Sequence, residues 1–481
     1  MCVHTRSARP PQRGFADLPP EIQEYIFDFL PLADRKAAAC VNSHWLTLAF
    51  SGRFLARTRL KIPSWTELDI CSRMLLAKSG RRHRNIFAAF GSGSCEPRDL
   101  HLLLDILVRL AETIECVQSP TMFSSQQLTA IVNTLPRLKE LEVAVGDVYN
   151  FEHEGLMQLA RLVKPIASST HLSEKNSLTK LRMKLFSCKS PSFFGNFLRK
   201  MSVNLRELSL YVVCPYVPLS SVDLPNLTTL RISAQQFSMK SDMLIIMFQG
   251  TPKVKKLRID HDIDSHVFET LTQNCSELQE LNVHVNVRDI PSLESLSKLQ
   301  KLRKLKLEGS FTSNQMRACS PIPGMRKLYL RVHRLDNITT FFHQLERILP
   351  NLHTIHFRIN SLPLFSKRIV QQITRGFQSL SKFTIEGSPV VMRPELAFQS
   401  LRDRPDGVQE DDDDELETDS KIGRLRVSNC TDFRDADLLR LATTFPELTY
   451  VELCKSRWIT EEGLRVFAEV LPNCRIELND K

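Results

Sequence analysis

Three stretches of the sequence hold residue types at spacings used by catalysis or ion binding, and each is incomplete. Asp260, Asp262 and Asp264 open a D-x-D-x-D pattern like that of a calcium loop. Such a loop needs glycine at its sixth position for the sharp turn and glutamate at its twelfth as a bidentate ligand. Here those positions hold Ser265 and Leu271. His261 and His266 flank the aspartates, yet no cysteine or carboxylate at zinc spacing completes a ligand set. Gly91-Ser92-Gly93 lacks the third glycine and the Lys-Ser/Thr pair of a phosphate loop. No serine or cysteine occupies a nucleophile elbow. The twelve cysteines include no CxxC pair and read as reduced thiols. The expectation is a non-catalytic protein with no metal and no cofactor. Thr418 and Ser420, at the end of an acidic run, are candidate targets of an acid-directed kinase.

Binding chemistry remains, and its meaning depends on the elements that carry it. The pattern LxxLxL, with apolar variants, recurs from Leu138-Leu141-Val143 through Leu205-Leu208-Leu210 and Met325-Leu328-Leu330 to Leu448-Val451-Leu453, with a truncated copy at Cys474. Ten of the twelve intervals between first anchors lie between 22 and 28 residues, the period of a leucine-rich repeat. Proline stands two positions before the first anchor at Pro136, Pro225, Pro252, Pro323, Pro350, Pro446 and Pro472. Lacking an N–H, it stops a preceding helix and turns the chain into a strand. Each unit therefore reads as strand then helix, Thr460 opening one such helix with Glu461 and Glu462 in its first turn. One unit cannot bury its own apolar edge, so neighbours stack into a curved solenoid. Weaker copies at Arg57-Leu60-Ile62, His83-Ile86-Ala88 and Ala111-Ile114-Cys116 extend it toward the N-terminus.

The expected organisation is a disordered basic tail over 1–14, a small helical module over 15–52 and the solenoid over 53–481. Two insertions interrupt the solenoid: a helix and loop at about 149–177, and an acidic disordered segment at about 402–420. The fold class is α/β, with short parallel strands on a concave face and helices on the convex one. These repeats resemble the leucine-rich-repeat family, and ITEEGLRVFAEVLPNC is similar to the subgroup found downstream of F-boxes. Cys430, Asn286 and Asn360 match the Asn/Cys position of that family, whereas Phe186, Val213 and His333 depart from it.

Side chains alternate along a strand, so residues beside the last two anchors face outward. Of thirty such positions from the repeat at Leu178 to that at Ile422, fourteen are basic. They are Lys180, Arg182, Lys184, Arg231, Lys256, Arg258, Lys304, Lys306, Lys327, Arg331, Arg358, Lys382, Arg424 and Arg426. Glu207, Asp260, Glu280, Glu308 and Glu386 are acidic. Two readings stay open: a stripe that receives an acidic or phosphorylated protein, or a solvated face kept soluble by Lys and Arg. The acidic insertion is a further candidate to cover the stripe.

The 481 residues carry a net charge of +10, and because Glu410–Asp419 holds eight acids the remainder carries +18. A hydrophobic share of 42% argues against wholesale disorder. No stretch approaches the roughly 18 apolar residues of a membrane span and the first residues have no apolar signal core, so an intracellular protein of cytoplasm or nucleus is expected.

In the N-terminal module, Pro19 and Pro20 suit the first turn of a helix. Ile22, Tyr25, Ile26, Phe29 and Leu30 then form one apolar stripe. Asp34 is read as the cap of a second helix whose apolar face runs from Ala37 through Trp45 and Leu48. So small a module has more apolar surface than it can bury, which predicts either a partner or a cap on the first repeat. Leu18-Pro19-x-Glu21-Ile22, Ile26-Phe27, Leu30-Pro31, Asp34 and the Val41 to Trp45 spacing resemble an F-box. Arg35 and Lys36 follow Asp34 where that family favours leucine. The resemblance implies docking to the Skp adaptor, and through it a cullin, by Leu18, Pro19, Ile22, Ile26, Leu30, Val41 and Trp45, with the solenoid presenting a substrate protein for ubiquitination. The competing reading is a basic nucleic-acid-binding or scaffold protein, whose binding would fall steeply with salt.

Overall fold

Burial along the repeat strands alternates with the period of two that a pleated backbone imposes. In Lys256–Ile263 every second residue from Leu257 to Ile263 is buried, and the residues between them reach solvent. The computed structural model describes residues 14–63, 81–89, 97–146, 177–187, 191–213, 223–234, 239–285, 293–311, 319–335, 338–359, 376–377, 379–387, 422–428, 434–454 and 459–479. The chain divides into two compact units, Met1–Phe186 and Ser187–Lys481.

The first unit opens with four helices, α1 (Pro20–Asp28), α2 (Leu32–Ala39), α3 (Ser43–Ala49) and α4 (Gly52–Arg57). Strands β1 (Arg59–Pro63) and β2 (Asn85–Ala89), helix α5 (Pro97–Arg109), strand β3 (Cys116–Phe123), helix α6 (Ser125–Thr134) and strands β4 (Glu140–Gly146) and β5 (Lys180–Ser187) follow. Each of these strands pairs with the next in sequence order, and the described registers from β1 to β4 are parallel.

The second unit runs α7 (Pro191–Met201), β6 (Glu207–Val212), β7 (Thr229–Ala234), α8 (Ser241–Gln249), β8 (Lys256–Ile263), α9 (Ser265–Asn274), β9 (Glu280–Val285), β10 (Lys304–Phe311) and β11 (Lys327–Leu335). It continues with α10 (Ile338–Ile348), β12 (Thr354–Ile359), β13 (Lys382–Gly387), β14 (Arg424–Ser428), α11 (Asp435–Thr444), β15 (Tyr450–Cys454), α12 (Glu461–Val470) and β16 (Arg475–Asn479). From β6 to β16 every neighbouring pair is parallel and in sequence order. The N-terminal helices and the sixteen described strands make an α/β fold of strand-and-crossover repeats.

The strands are tied by a recurring device. The carbonyl just before one strand accepts two successive N–H groups from the start of the next repeat: Lys255 O takes Gln279 N at 2.8 Å and Glu280 N at 2.9 Å. Gln279 O in turn takes Arg303 N and Lys304 N, and Arg303 O takes Arg326 N and Lys327 N. The anchor leucines form the core beneath. Leu305, Leu307, Leu328 and Leu330 close with Phe341, Leu345 and Ile348 of α10 around an apolar gap of about 30 Å³.

The structure corrects the sequence reading in four places. The third weak repeat is offset by three residues: Val117, not Ile114, pairs with Leu141 on one side and Ile86 on the other, and Ser119 takes the last anchor position. Its hydroxyl, donating to Ala88 O, makes that position tolerable in the core. Helix α2 starts at Leu32, so Asp34 lies in its first turn instead of capping it. Trp45 and Leu48 belong to a separate helix, α3, capped by the Asn42 side chain, which accepts from Trp45 N at 2.8 Å. Finally, the crossover from β9 to β10 contains a 3-10 turn, Leu293–Lys298, where a helix was expected. The expected cap at Thr460 is present, its side chain accepting from Gly463 N. Cys430, Asn286, Asn360, the Gly91-Ser92-Gly93 stretch and both insertions lie outside the described residues.

Candidate functional site

Helix α1 has two apolar faces, and among the described residues only one has a neighbour. On the inner face Phe27 and the half-buried Leu30 join Ala39, Leu48, Ala49 and Phe54 in a core, with Phe15, Ala38, Trp45 and Phe50 around it. Trp45 stands edge-on to Phe15 and Phe27, with ring centres 5.2 and 5.8 Å away. Gln23 is also inside, where its amide donates to Leu18 O and its carbonyl meets His44 Nε2, both at 2.6 Å, so its burial is compensated. Arg53 and Arg57 of α4 each approach the Asp28 carboxylate to 2.7 Å and clamp the end of α1.

The outer face carries Ile22, Tyr25, Ile26 and Phe29, all exposed, Phe29 to 70%. Tyr25 and Phe29 stack edge-to-face at 4.9 Å in the open. Leu18, Pro19, Leu32, Val41 and Leu46 are exposed as well. Of the seven docking residues expected from the sequence, Leu18, Pro19, Ile22, Ile26 and Val41 therefore reach solvent, while Leu30 and Trp45 help to form the core. Tyr25 and Phe29 were absent from that set, although the stripe in the sequence already contained them.

The second candidate surface is the solvent face of the sheet, where outward residues align in columns across the strands. In the first unit Lys180 Nζ lies 3.3 Å from Glu140 and Arg182 3.1 Å from Glu142; Lys184 sits 4.9 Å over the Phe186 ring. In the second unit Glu280 stands between Lys256 at 2.8 Å and Lys304 at 3.8 Å. The hydrogen bond from Lys256, aided by both positive charges, holds the Glu280 carboxyl below its usual range against a smaller opposing effect of burial. Arg258 binds Asp260 on its own strand, Arg331 binds Glu308 at 2.8 Å, and Arg426 lies 3.5 Å from Glu452. The face is thus a ladder of both signs. Arg231, Lys306, Lys327, Lys382 and Arg424 have no ion-pair partner among the described residues; Arg358 is exposed on β12.

The aspartate cluster behaves as structure. Asp264 caps α9 by accepting from Val267 N at 2.8 Å and also accepts the Ser241 hydroxyl, while Asp260 is committed to Arg258. No group of three or more His, Cys, Asp or Glu among the described residues is placed to hold a metal. Burial pushes the Cys275 thiol up to about 12 and the Cys319 thiol up to about 11, so neither is a thiolate nucleophile at neutral pH. No described helix is long and apolar enough to cross a membrane.

Residues 15–60 match the F-box-like family. This F-box-like domain takes in the four helices and the core around Phe27 and Phe54, so the exposed stripe of α1 is part of it. No curated protein matches the chain. Among solved structures, the chain is similar to the "Crystal structure of Rad7 and Elc1 complex in yeast" at 14% identity, covering 79% of this chain and 88% of that one, with a TM-score of 0.34. A likeness so distant carries nothing about partners.

Proposed function

We propose that this chain is a substrate-recognition adaptor of a Skp–cullin–F-box ubiquitin ligase. Its F-box-like domain docks to the Skp adaptor, and its repeats, which we read as leucine-rich repeats, hold a substrate protein on the outward sheet face. The observation that carries the reading is the uncovered apolar face of α1, Ile22, Tyr25, Ile26 and Phe29, with Leu18 and Val41 exposed in the same domain. Burying apolar area yields about 25 cal/mol per Å², and among the described residues no element of this small domain covers that face. In this role the protein supplies binding and no catalytic group.

Ile22→Asp combined with Ile26→Asp tests the proposal. Both side chains are exposed, so the melting temperature of the purified protein stays near that of the wild type. Co-purification of the Skp adaptor and cullin from cells should disappear. Undiminished recovery of the adaptor by the folded variant would overturn the assignment.

A further inference from the structure

Strands β11 to β15 enclose a depression of about 160 Å³ on the outward face of the sheet. Its walls include Lys382, Arg424 and Arg426, with Thr384, Tyr450 and Glu452 beside them. Lys382 and Arg424 are directly opposed across neighbouring strands. Like charges so placed, about 5 Å apart by strand spacing, destabilise a sheet. Elsewhere on the second unit an adjacent basic pair has at least one member neutralised, as Arg258 is by Asp260 and Lys304 by Glu280. At Lys382 and Arg424 neither member has an ion-pair partner among the described residues. Tyr450 adds a neutral hydroxyl: its hydrogen bond to Glu477, 2.7 Å long, pushes the phenol up to about 12.

We propose that this depression receives a single phosphate group carried by a serine or threonine of a partner protein, the inference resting on the sheet face being the substrate surface. Two cations with no ion-pair partner among the described residues supply charge-assisted hydrogen bonds to a dianion. Neutral residues bound the pair along its row, Thr354 beside Lys382 and Tyr450 beside Arg424, while Glu452 and Glu477 lie in the next row, level with Arg426. One phosphate fits the pair. A nucleic-acid backbone crossing the strands along this row would set its adjoining phosphates against Thr354 and Tyr450, which carry no charge to hold them.

The test is fluorescence anisotropy with the full chain and three labelled probes: a degenerate phosphoserine nonapeptide pool, the same pool unphosphorylated, and a single-stranded oligouridylate. The phosphorylated pool should bind at least about tenfold more tightly than its counterpart, the advantage expected of charge-assisted bonds. Lys382→Ala with Arg424→Ala should remove that advantage, while Lys306→Ala, at a cation outside the depression with no ion-pair partner among the described residues, should keep it. Each variant's thermal melting shows that it is folded. Equal binding of the two pools, equal loss in Lys306→Ala, or tighter binding of oligouridylate than of phosphopeptide would each overturn the proposal. The assay uses no Skp adaptor, so failure here leaves the F-box docking test standing, and failure of docking leaves this result standing.

Discussion

Helix α1 of the F-box-like domain and strand β8 of the repeat sheet dispose of apolar side chains in opposite ways. On β8, Leu257, Ile259 and Ile263 are covered and Lys256 and Arg258 face water. On α1, Ile22, Tyr25, Ile26 and Phe29 face water while Gln23 is buried. The difference follows from what lies on either side. Each repeat has a neighbour that continues its core. The four-helix domain has a core of a few residues, and among the described residues nothing covers the second apolar face of one of its helices. The sheet therefore turns charged side chains to water over a continuous core, whereas the small domain leaves apolar side chains exposed among the described residues.

The contrast is sharpest between two phenylalanines of the same domain. Phe54 is 1% exposed in the core and Phe29 is 70% exposed. Phe54→Ala should lower the unfolding free energy of the first unit by about 3–5 kcal/mol in urea titration, the cost of truncating a core aromatic. A loss under about 1 kcal/mol would mean that the cluster is not the core of the domain.

Next in size is a pH effect within the sheet. His261 on β8 is buried with neither ring nitrogen hydrogen-bonded. Burial lowers its pKa to about 4 from 6.5; Asp262 and Asp260 oppose the shift and His284 adds to it. The unfolded chain thus takes up a proton that the folded one refuses. Stability is full above pH 6.5 and falls as pH drops toward 4, by up to about 3 kcal/mol. Urea midpoints measured across that window should show the fall, and His261→Phe should flatten it. An unchanged slope in the variant would remove His261 as the cause.

Two glycines extend the comparison to backbone sites. At Gly463 on α12 an added Cβ would collide with the Asp435 side chain, whose carboxylate holds Thr460 N at 2.8 Å and the Thr460 hydroxyl at 2.7 Å. Gly463→Ala should cost about 1–3 kcal/mol, as overpacking does. Gly52 in α4 has nothing within 4 Å of an added Cβ, so Gly52→Ala should stabilise by about 0.4–1 kcal/mol. Thermal melts of the two variants should move in opposite directions. The smallest effect belongs to Phe29→Ala, within about 0.5 kcal/mol of wild type in the same titration; a larger loss would show that the outer face of α1 is already supported from within the chain.

Much of this was legible in the sequence, for a definite reason. The LxxLxL period marks the strand positions that meet the core, and Leu141, Leu208, Leu257 and Leu328 all stand where it places them. Phase was lost where an anchor is polar: with Ser119 in the third core position of β3, the apolar pattern alone favoured a frame three residues early. On α1, Ile22, Tyr25, Ile26 and Phe29 recur with helical spacing, and so do Gln23, Phe27 and Leu30. Periodicity identifies the helix but not which face turns inward; the aromatic packing of Phe27 on Trp45 decides that. The basic stripe was legible residue by residue, yet its neutralisation was not. Glu140, Glu142 and Glu452 sit on strands next to the cations they meet, a relation that depends on register between segments 26 to 40 residues apart.

The shared carbonyls that link successive repeats have a kinetic consequence. Because one acceptor holds two amides of the following repeat, an opening that withdraws that carbonyl exposes both amides at once, while the carbonyl of the next repeat keeps its own pair. Isotope exchange should therefore proceed in couplets, Gln279 with Glu280 and Arg303 with Lys304. Protection should grade from repeat to repeat, so that the sheet opens like links of a chain uncoupling one at a time instead of melting as a single block.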